Sequence, residues 1–595
     1  MTQYHVTLNS QGYVLDLDRY VKRIREPFAP KRAAGSAAVG DLIGPEQVLT
    51  ISDWSGGEGH ERHDDSRPER HRYNAGVDGF TVAGTLRLGP YASVVGTTTA
   101  NSVRCLQPYG TKLYVGCLAG LIYSWDGATF VLAHTVAPAS AQLTMAVFQN
   151  RLYSGNGLNG NLLEFDGTTW TDVVATAGGL IFSLMTHYRE AAQYLYLGSF
   201  AAGVNGVARI YYWDGGVLSG GQFDPEESYP LVMFVLEDKL YIVAGNIPSY
   251  DWALYSVDDA GSGGNWRRHV TMPGRGYPSG GLVVDGVAYI GDFFNGRVYR
   301  FDGTDLTVAF ELGTASAGYA GGLYPAAWRG GLWCGIIDRG AATLGVLRYD
   351  GETLFRPVTG LSGVGLDWRA AAVWADVLYL GTALVGAAKV VKVDPSKYGG
   401  SGTLETGLIS FGLPGVTKLL RSVTLVTAAM PVGCSVLVEY RTEDTGSWTS
   451  LGTLSTLGAT TATYSFAASV TCRLLSLRLT LTGVAGGTVS PVVSEVVVRY
   501  VPRPAVTREW ELGVLLEGTA ALPLVTLDGA GEPLTGAALT SALWTAAGSV
   551  GPVTLVDLDG ASYAVYVTDV REEVGKVSQR HGYQRLGIVS LVEAA

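Results

Sequence analysis

Three groups of side chains in this sequence are of types that do chemistry. The first is His60, His63, His71, Asp64 and Asp65, donors that hold zinc when a strand or helix fixes their geometry. They follow the glycine-rich run Asp53-Trp54-Ser55-Gly56-Gly57-Glu58-Gly59, which offers no such frame, so no metal is assigned. The second is Asp224, Glu226 and Glu227, a set of carboxylates of the kind glycoside hydrolysis requires. All three fall in one long loop, and no partner at a defined distance is legible. The third is Tyr250, Trp252 and Trp266, aromatics carried on irregular insertions (198–209, 244–253, 258–266 and 336–344). Aromatic faces on loops hold sugars or partner surfaces, and these three are the candidate surface-binding residues. Asp557-Leu558-Asp559-Gly560 reads as a hairpin turn and lacks the twelve-residue loop that a calcium site of this kind needs.

The elements that would position these residues come from a recurrence between Asn101 and Lys397. Its clearest copy is Arg151-Leu152-Tyr153-Ser154-Gly155, a short gap, then Asn161-Leu162-Leu163-Glu164-Phe165-Asp166-Gly167. The apolar-Asp ending returns at Asp126, Asp166, Asp214, Asp258, Asp302, Asp350 and Asp394, 40 to 48 residues apart. A period of that length, with several short alternating runs per copy, predicts four-stranded propeller blades rather than helical repeats. In the second copy the strands fall at 143–148, 151–154, 161–165 and 170–174, with tight turns at Gln149-Asn150 and Asp166-Gly167. The aromatic residue of each copy, tyrosine in six and Trp333 in the sixth, is expected to pack between neighbouring blades. The Asp recurs in every copy, followed by Gly in five of the seven, as a turn residue does and a catalytic carboxylate does not. The seventh copy lacks a fourth strand of its own, so a strand from within 80–95 is expected to complete it and close the ring, since an open ring would leave edges free to pair.

Length and composition set the remaining bounds. A chain of 595 residues is too long for one core. With 47% hydrophobic and only 16% charged residues, it is globular rather than disordered. The net charge of −11 argues against a nucleic-acid binder. Five cysteines without Cys-x-x-Cys spacing indicate neither a zinc site nor a disulfide framework. The first residues are polar and charged, so neither a leader nor membrane insertion is expected. The expectation is an all-β chain: a docking arm over 1–98, a seven-bladed β-propeller over 99–398, a β-sandwich over 403–502 and a small β-rich C-terminal module over 505–595. Pro395 to Gly402 reads as a flexible linker, 18–25 as a short helix, and Trp54 as the arm's anchor on a neighbouring subunit.

No Gly-x-Ser-x-Gly elbow, Walker loop or His-Glu-x-x-His occurs. The nearest approach to a sialidase Asp-box, Thr442-Glu443-Asp444-Thr445-Gly446-Ser447-Trp448, is one residue short. Taken together, the Gly12-Tyr13-Val14-Leu15-Asp16 opening, the Asp53 to Gly59 stretch, the propeller joined to a 407–500 sandwich and the Asp557 to Val570 ending resemble structural proteins of bacteriophage tails, of the distal tail, baseplate or minor tail kind. The resemblance implies a non-enzymatic virion protein with no cofactor, assembled in the host cytoplasm. Its implied partners are other tail proteins and further copies around the tail axis, and its propeller would face a host glycan or protein. The alternative is a propeller glycan hydrolase using Asp224 or Glu227.

Overall fold

The computed structural model describes residues 4–25, 46–59, 63, 69–136, 142–156, 161–175, 179–189, 192–201, 207–222, 229–246, 251–257, 266–272, 276–292, 296–312, 323–338, 343–413, 416–443, 446–467, 470–503, 507–517, 524–549, 551–578 and 582–593. Strand dominates, and among the described residues the one α-helix is Gly536–Ala547.

The copies of the repeat fold as four-stranded antiparallel sheets, seven among the described residues, the last of them completed by a strand from outside its own copy. In the second, Gln142–Phe148, Arg151–Asn156, Asn161–Phe165 and Trp170–Ala175 are neighbours in that order. The first hairpin pairs Phe148 with Arg151, so its loop is two residues, Gln149 and Asn150, both at positive φ (47° and 60°). That is the mirror-image turn whose twist matches the strands it joins. Glu237-Asp238, Asp285-Gly286, Arg329-Gly330 and Ala375-Asp376 repeat the positive-φ pair. The last hairpin uses the Asp-Gly mark. The Asp166 carboxylate accepts from the Thr168 and Thr169 amides at 2.7 and 2.8 Å, and Gly167 takes φ of 104°. Asp126, Asp214, Asp302 and Asp350 make the same two-amide bond, each followed by a glycine near +100°. The recurring aspartate therefore ties a turn to its own backbone.

The sheets are arranged propeller-fashion. Their first strands contact one another in sequence, and the first strand of the seventh, Asp367–Trp374, contacts that of the first, Val103–Tyr109. Side chains repeat the circuit. The Tyr114 ring lies 5.5 Å from Phe165 of the next sheet, Tyr241 5.2 Å from Phe301, and Tyr289 6.5 Å from Tyr349. Trp125 Nε1 donates to Tyr379 Oη at 3.2 Å, joining last sheet to first. A glycine two residues after the repeat's aromatic, present in six of the seven copies, permits this approach. A Cβ on Gly335 would meet Trp368 at 2.2 Å, and one on Gly381 would meet Val103 at 2.3 Å.

The seventh sheet takes its fourth strand from Pro90–Thr97, which pairs antiparallel with Lys389–Tyr398. Asp394 accordingly precedes Pro395 instead of glycine, because the chain leaves for another sheet there and turns no hairpin.

The remaining strands form two bodies. A five-stranded and a seven-stranded sheet enclose one core of Leu420, Val423, Leu425, Leu477, Leu479, Val496 and their neighbours. A second seven-stranded sheet, covered by the helix through Leu539, Leu543 and Ala546, holds the C-terminal strands.

Three expectations are corrected here. Residues 1–98 are not a separate arm: Leu15–Arg25 pairs with Thr507–Glu517, Gln47–Ile51 with Val492–Arg503, His71–Ala75 with Ser401–Thr406, and Pro90–Thr97 closes the propeller-like ring. The chain therefore enters through the terminal sheet, then the two-sheet body, then the ring, and leaves in reverse order. The segment 395–402 is not a linker, since strands run to Tyr398 and resume at Ser401. Residues 18–25 are strand instead of helix, because Tyr20 to Arg25 find hydrogen-bonding partners on Leu512 to Thr507.

Candidate binding cleft

The sequence-predicted site residues do not converge. Trp252 is 1% exposed. It opens the third strand of the fourth sheet, Trp252–Val257, and packs on Tyr299 at 5.3 Å, so it is a core residue and not a surface contact. Trp266 starts the outer strand Trp266–Met272 and is half-buried against the cluster holding Tyr255 and Ile242. Tyr250, Asp224, Glu226 and Glu227 lie outside the described residues, as do His60, Asp64 and Asp65. Trp54 is 2% exposed within the core of this chain's own two-sheet body, with Ile51, Val77 and Leu86, so it is no anchor on a neighbouring subunit. Among the described residues no group of three metal-ligating side chains occurs. His71 instead lies 2.9 Å from the Asn74 amide and against the Phe355 ring.

What the fold does bring together is the seam between the two-sheet body and the sixth and seventh sheets. A buried polar network fixes the seam. Arg356, in the outer strand Leu354–Leu361, donates from Nε and Nη2 to Glu58 Oε2 at 3.0 and 2.8 Å. Its amide donates to Asn74 Oδ1 at 2.7 Å, its carbonyl accepts from the Gly76 amide at 2.8 Å, and its guanidinium lies over the Tyr73 ring at 4.4 Å. Burial pushes the Glu58 carboxyl above its ordinary value, against the pull of Arg356. Two strand-to-strand crossings pass the same seam, at Gly89 and at Gly399-Gly400. A Cβ on Gly89 would lie 1.9 Å from the Pro357 carbonyl oxygen, so the crossing requires glycine.

Beside this network opens a cleft of about 420 Å³. One wall carries Asp78, Phe80, Arg87 and Tyr398, and the other Trp328, Arg329, Arg348 and Asp376. Arg87 Nε bonds Asp78 at 3.0 Å, and its Nη1 reaches Tyr398 Oη at 3.4 Å. Arg329 and Asp376 occupy equivalent first-hairpin turns of neighbouring sheets, both at positive φ (47° and 57°), and pair at 2.7 Å. That hydrogen bond holds the Asp376 carboxyl below its ordinary value. Arg348 is buried, bonds Asp350 at 3.1 Å and stacks on Phe80 at 4.1 Å, and its Nε hydrogen finds no acceptor among the described residues. The indoles of Trp328 and of Trp333, which also lines the cleft, are already bonded to backbone carbonyls, of Asp376 at 3.1 Å and of Trp328 at 2.8 Å. The cleft can therefore bind through its guanidinium, carboxylate and phenol groups and present the Phe80 and Tyr398 rings as apolar faces.

Sequence reasoning missed these residues because Arg329 and Asp376 stand at turn positions that recur from sheet to sheet, and Asp78, Phe80 and Arg87 come from a segment remote in sequence. Only docking of 76–90 beside the ring makes them a cleft.

No family model matches the chain, and no curated protein matches it. Two solved structures are similar to about half of it. The crystal structure of the computationally designed Ika8 protein is 14% identical over 51% of this chain and 99% of its own, with a TM-score of 0.35. YCF48 bound to D1 peptide is 12% identical over 51% of this chain and 95% of its own, with a TM-score of 0.36.

Proposed function

We propose that this protein is a non-enzymatic structural component of a bacteriophage tail tip or baseplate. In this reading residues 90–398 form a seven-bladed β-propeller, a β-sandwich carries it, and the terminal sheet attaches to other tail proteins and to further copies around the tail axis. The propeller projects toward a host surface or a partner protein.

One observation carries the reading: the ring is held rather than tethered. Two strands continue across the seam with only one or two residues between them, Leu86–Leu88 into Pro90–Thr97 and Lys389–Tyr398 into Ser401–Thr406. The Glu58–Arg356–Asn74 network cross-links the same seam. Such coupling transmits position and load, which a building block of an assembly needs and an independently acting hydrolase does not.

Immunogold labelling of purified particles from cultures making the chain, with antibodies raised against residues 99–398, is the test. Label at one end of the tail is expected. Label found only on free protein overturns the assignment. Release of reducing sugar from host polysaccharide that Glu227→Gln abolishes overturns its non-enzymatic part.

A further inference from the structure

We propose that the cleft between the two-sheet body and the sixth and seventh sheets binds a carboxylate-bearing saccharide, as a mono- or disaccharide unit. The inference rests on the cleft alone and stands or falls separately from the tail assignment. Its volume of about 420 Å³ lies at the small end of the range of roughly 300–1,000 Å³ found for small-molecule sites. Three arginines, Arg87, Arg329 and Arg348, are paired with Asp78, Asp376 and Asp350, so the cleft is balanced in a chain of net charge −11, and Arg329 is its most exposed cation.

The exposed guanidinium of Arg329, set among hydroxyl acceptors and aromatic faces, selects the ligand. A guanidinium presents a planar fork that matches one carboxylate with two parallel hydrogen bonds. Arg329, with 43% of its side chain exposed, is placed to offer this fork while keeping its bond to Asp376. A doubly charged anion such as phosphate would meet repulsion from both aspartates. Hydroxyl groups would not, because Asp78, Asp376 and the Tyr398 phenol are acceptors for them. Phe80 and Tyr398, both partly exposed, supply faces against which the C–H surface of a sugar ring packs. A single negative charge on a hydroxyl-rich ring satisfies all three demands at once. Arg348 supports the site from behind: pinned between Asp350 and the Phe80 ring, it fixes the plane of that ring.

Titration calorimetry of the full chain with methyl β-glucuronide, with methyl β-glucoside as the neutral match and an acetylated dipeptide acid as the non-sugar carboxylate, tests the proposal. Saturable binding of the glucuronide is expected, with the glucoside and the dipeptide each about tenfold weaker or worse, the scale of one lost hydrogen bond to a charged group. Arg329→Ala, at an exposed turn, weakens the glucuronide by about tenfold and leaves the glucoside unchanged. Phe80→Ala weakens both sugars alike. Absence of saturable binding to folded wild-type chain, equal binding of acid and neutral sugar, dipeptide binding as tight as the glucuronide, or an Arg329→Ala chain that binds the glucuronide as before would each overturn it. A thermal melt of each variant confirms that the fold is retained, and Arg329→Lys, which keeps the charge but not the fork, recovers only part of the affinity.

Discussion

The ring of seven sheets and the base it stands on are both β, yet they are built on opposite plans. In the ring, nearly every pairing joins strands a few residues apart, and the polar groups that matter are exposed, local and repeated. Asp166 is bound by amides two and three residues ahead of it. In the base, several pairings join residues hundreds of positions apart, as Val21 with Glu511 does, and the polar groups that fix it to the ring are buried and occur once. Glu58 of the base and Arg356 of the ring are such a pair, with side chains 12% and 9% exposed. Repeated marks make modules; single buried marks decide where the modules sit.

The largest effect that would break this contrast lies at the seam. Arg356→Met leaves Glu58 buried without its partner, and removing one member of a buried pair costs about 3–5 kcal/mol. Chemical denaturation should show that loss, and Glu58→Gln added to Arg356→Met should recover part of it. Were the single variant as stable as the parent, the seam would not be what sets the ring in place. A smaller effect is expected where the ring closes. Tyr379→Phe removes the acceptor of the buried Trp125 indole, and a buried donor left unsatisfied costs about 1–3 kcal/mol. Differential scanning calorimetry reads it. The smallest effect belongs to the repeated turns. Hydrogen bonds from Thr169 and Thr168 lower the Asp166 carboxyl to about 2, and those from Asp305 and Thr304 do the same for Asp302. Because the folded value is depressed, the stabilisation is fully present above the ordinary aspartate range and is lost as pH falls through about 2. Carboxyl carbon NMR should find both residues still ionised at pH 3.

This contrast also explains what could be read from the amino acids. The ring was legible because a hairpin writes its whole chemistry into consecutive positions: two residues at positive φ, then tyrosine and glycine, then Asp-Gly. The missing fourth strand of the seventh copy was legible too, and the stretch expected to supply it, 80–95, overlaps the strand that does, Pro90–Thr97. The base was not. Val6–Leu8, Val77–Asp78 and Leu86–Leu88 are two or three residues long, too short to show a period, and pairing across most of the chain leaves no local trace. Trp54 could be recognised as an anchor, but what it is anchored in could not, because Val77, Leu86 and the 404–500 strands that bury it are remote. The helix Gly536–Ala547 went unseen because its apolar face is three residues, Leu539, Leu543 and Ala546, within a run rich in threonine and alanine. The cleft was invisible for a related reason: Arg329 and Asp376 are turn residues until a remote segment is laid beside them.

The nested path has a consequence for synthesis. The strand Leu15–Arg25 leaves the ribosome roughly 490 residues ahead of the strand it pairs with, Thr507–Glu517. At roughly 5–20 residues per second that interval is tens of seconds, during which Leu15–Arg25 has no such partner to zip onto. A nascent chain cut short before Thr507 cannot pair that strand, so the order of translation itself inspects each copy for its partner.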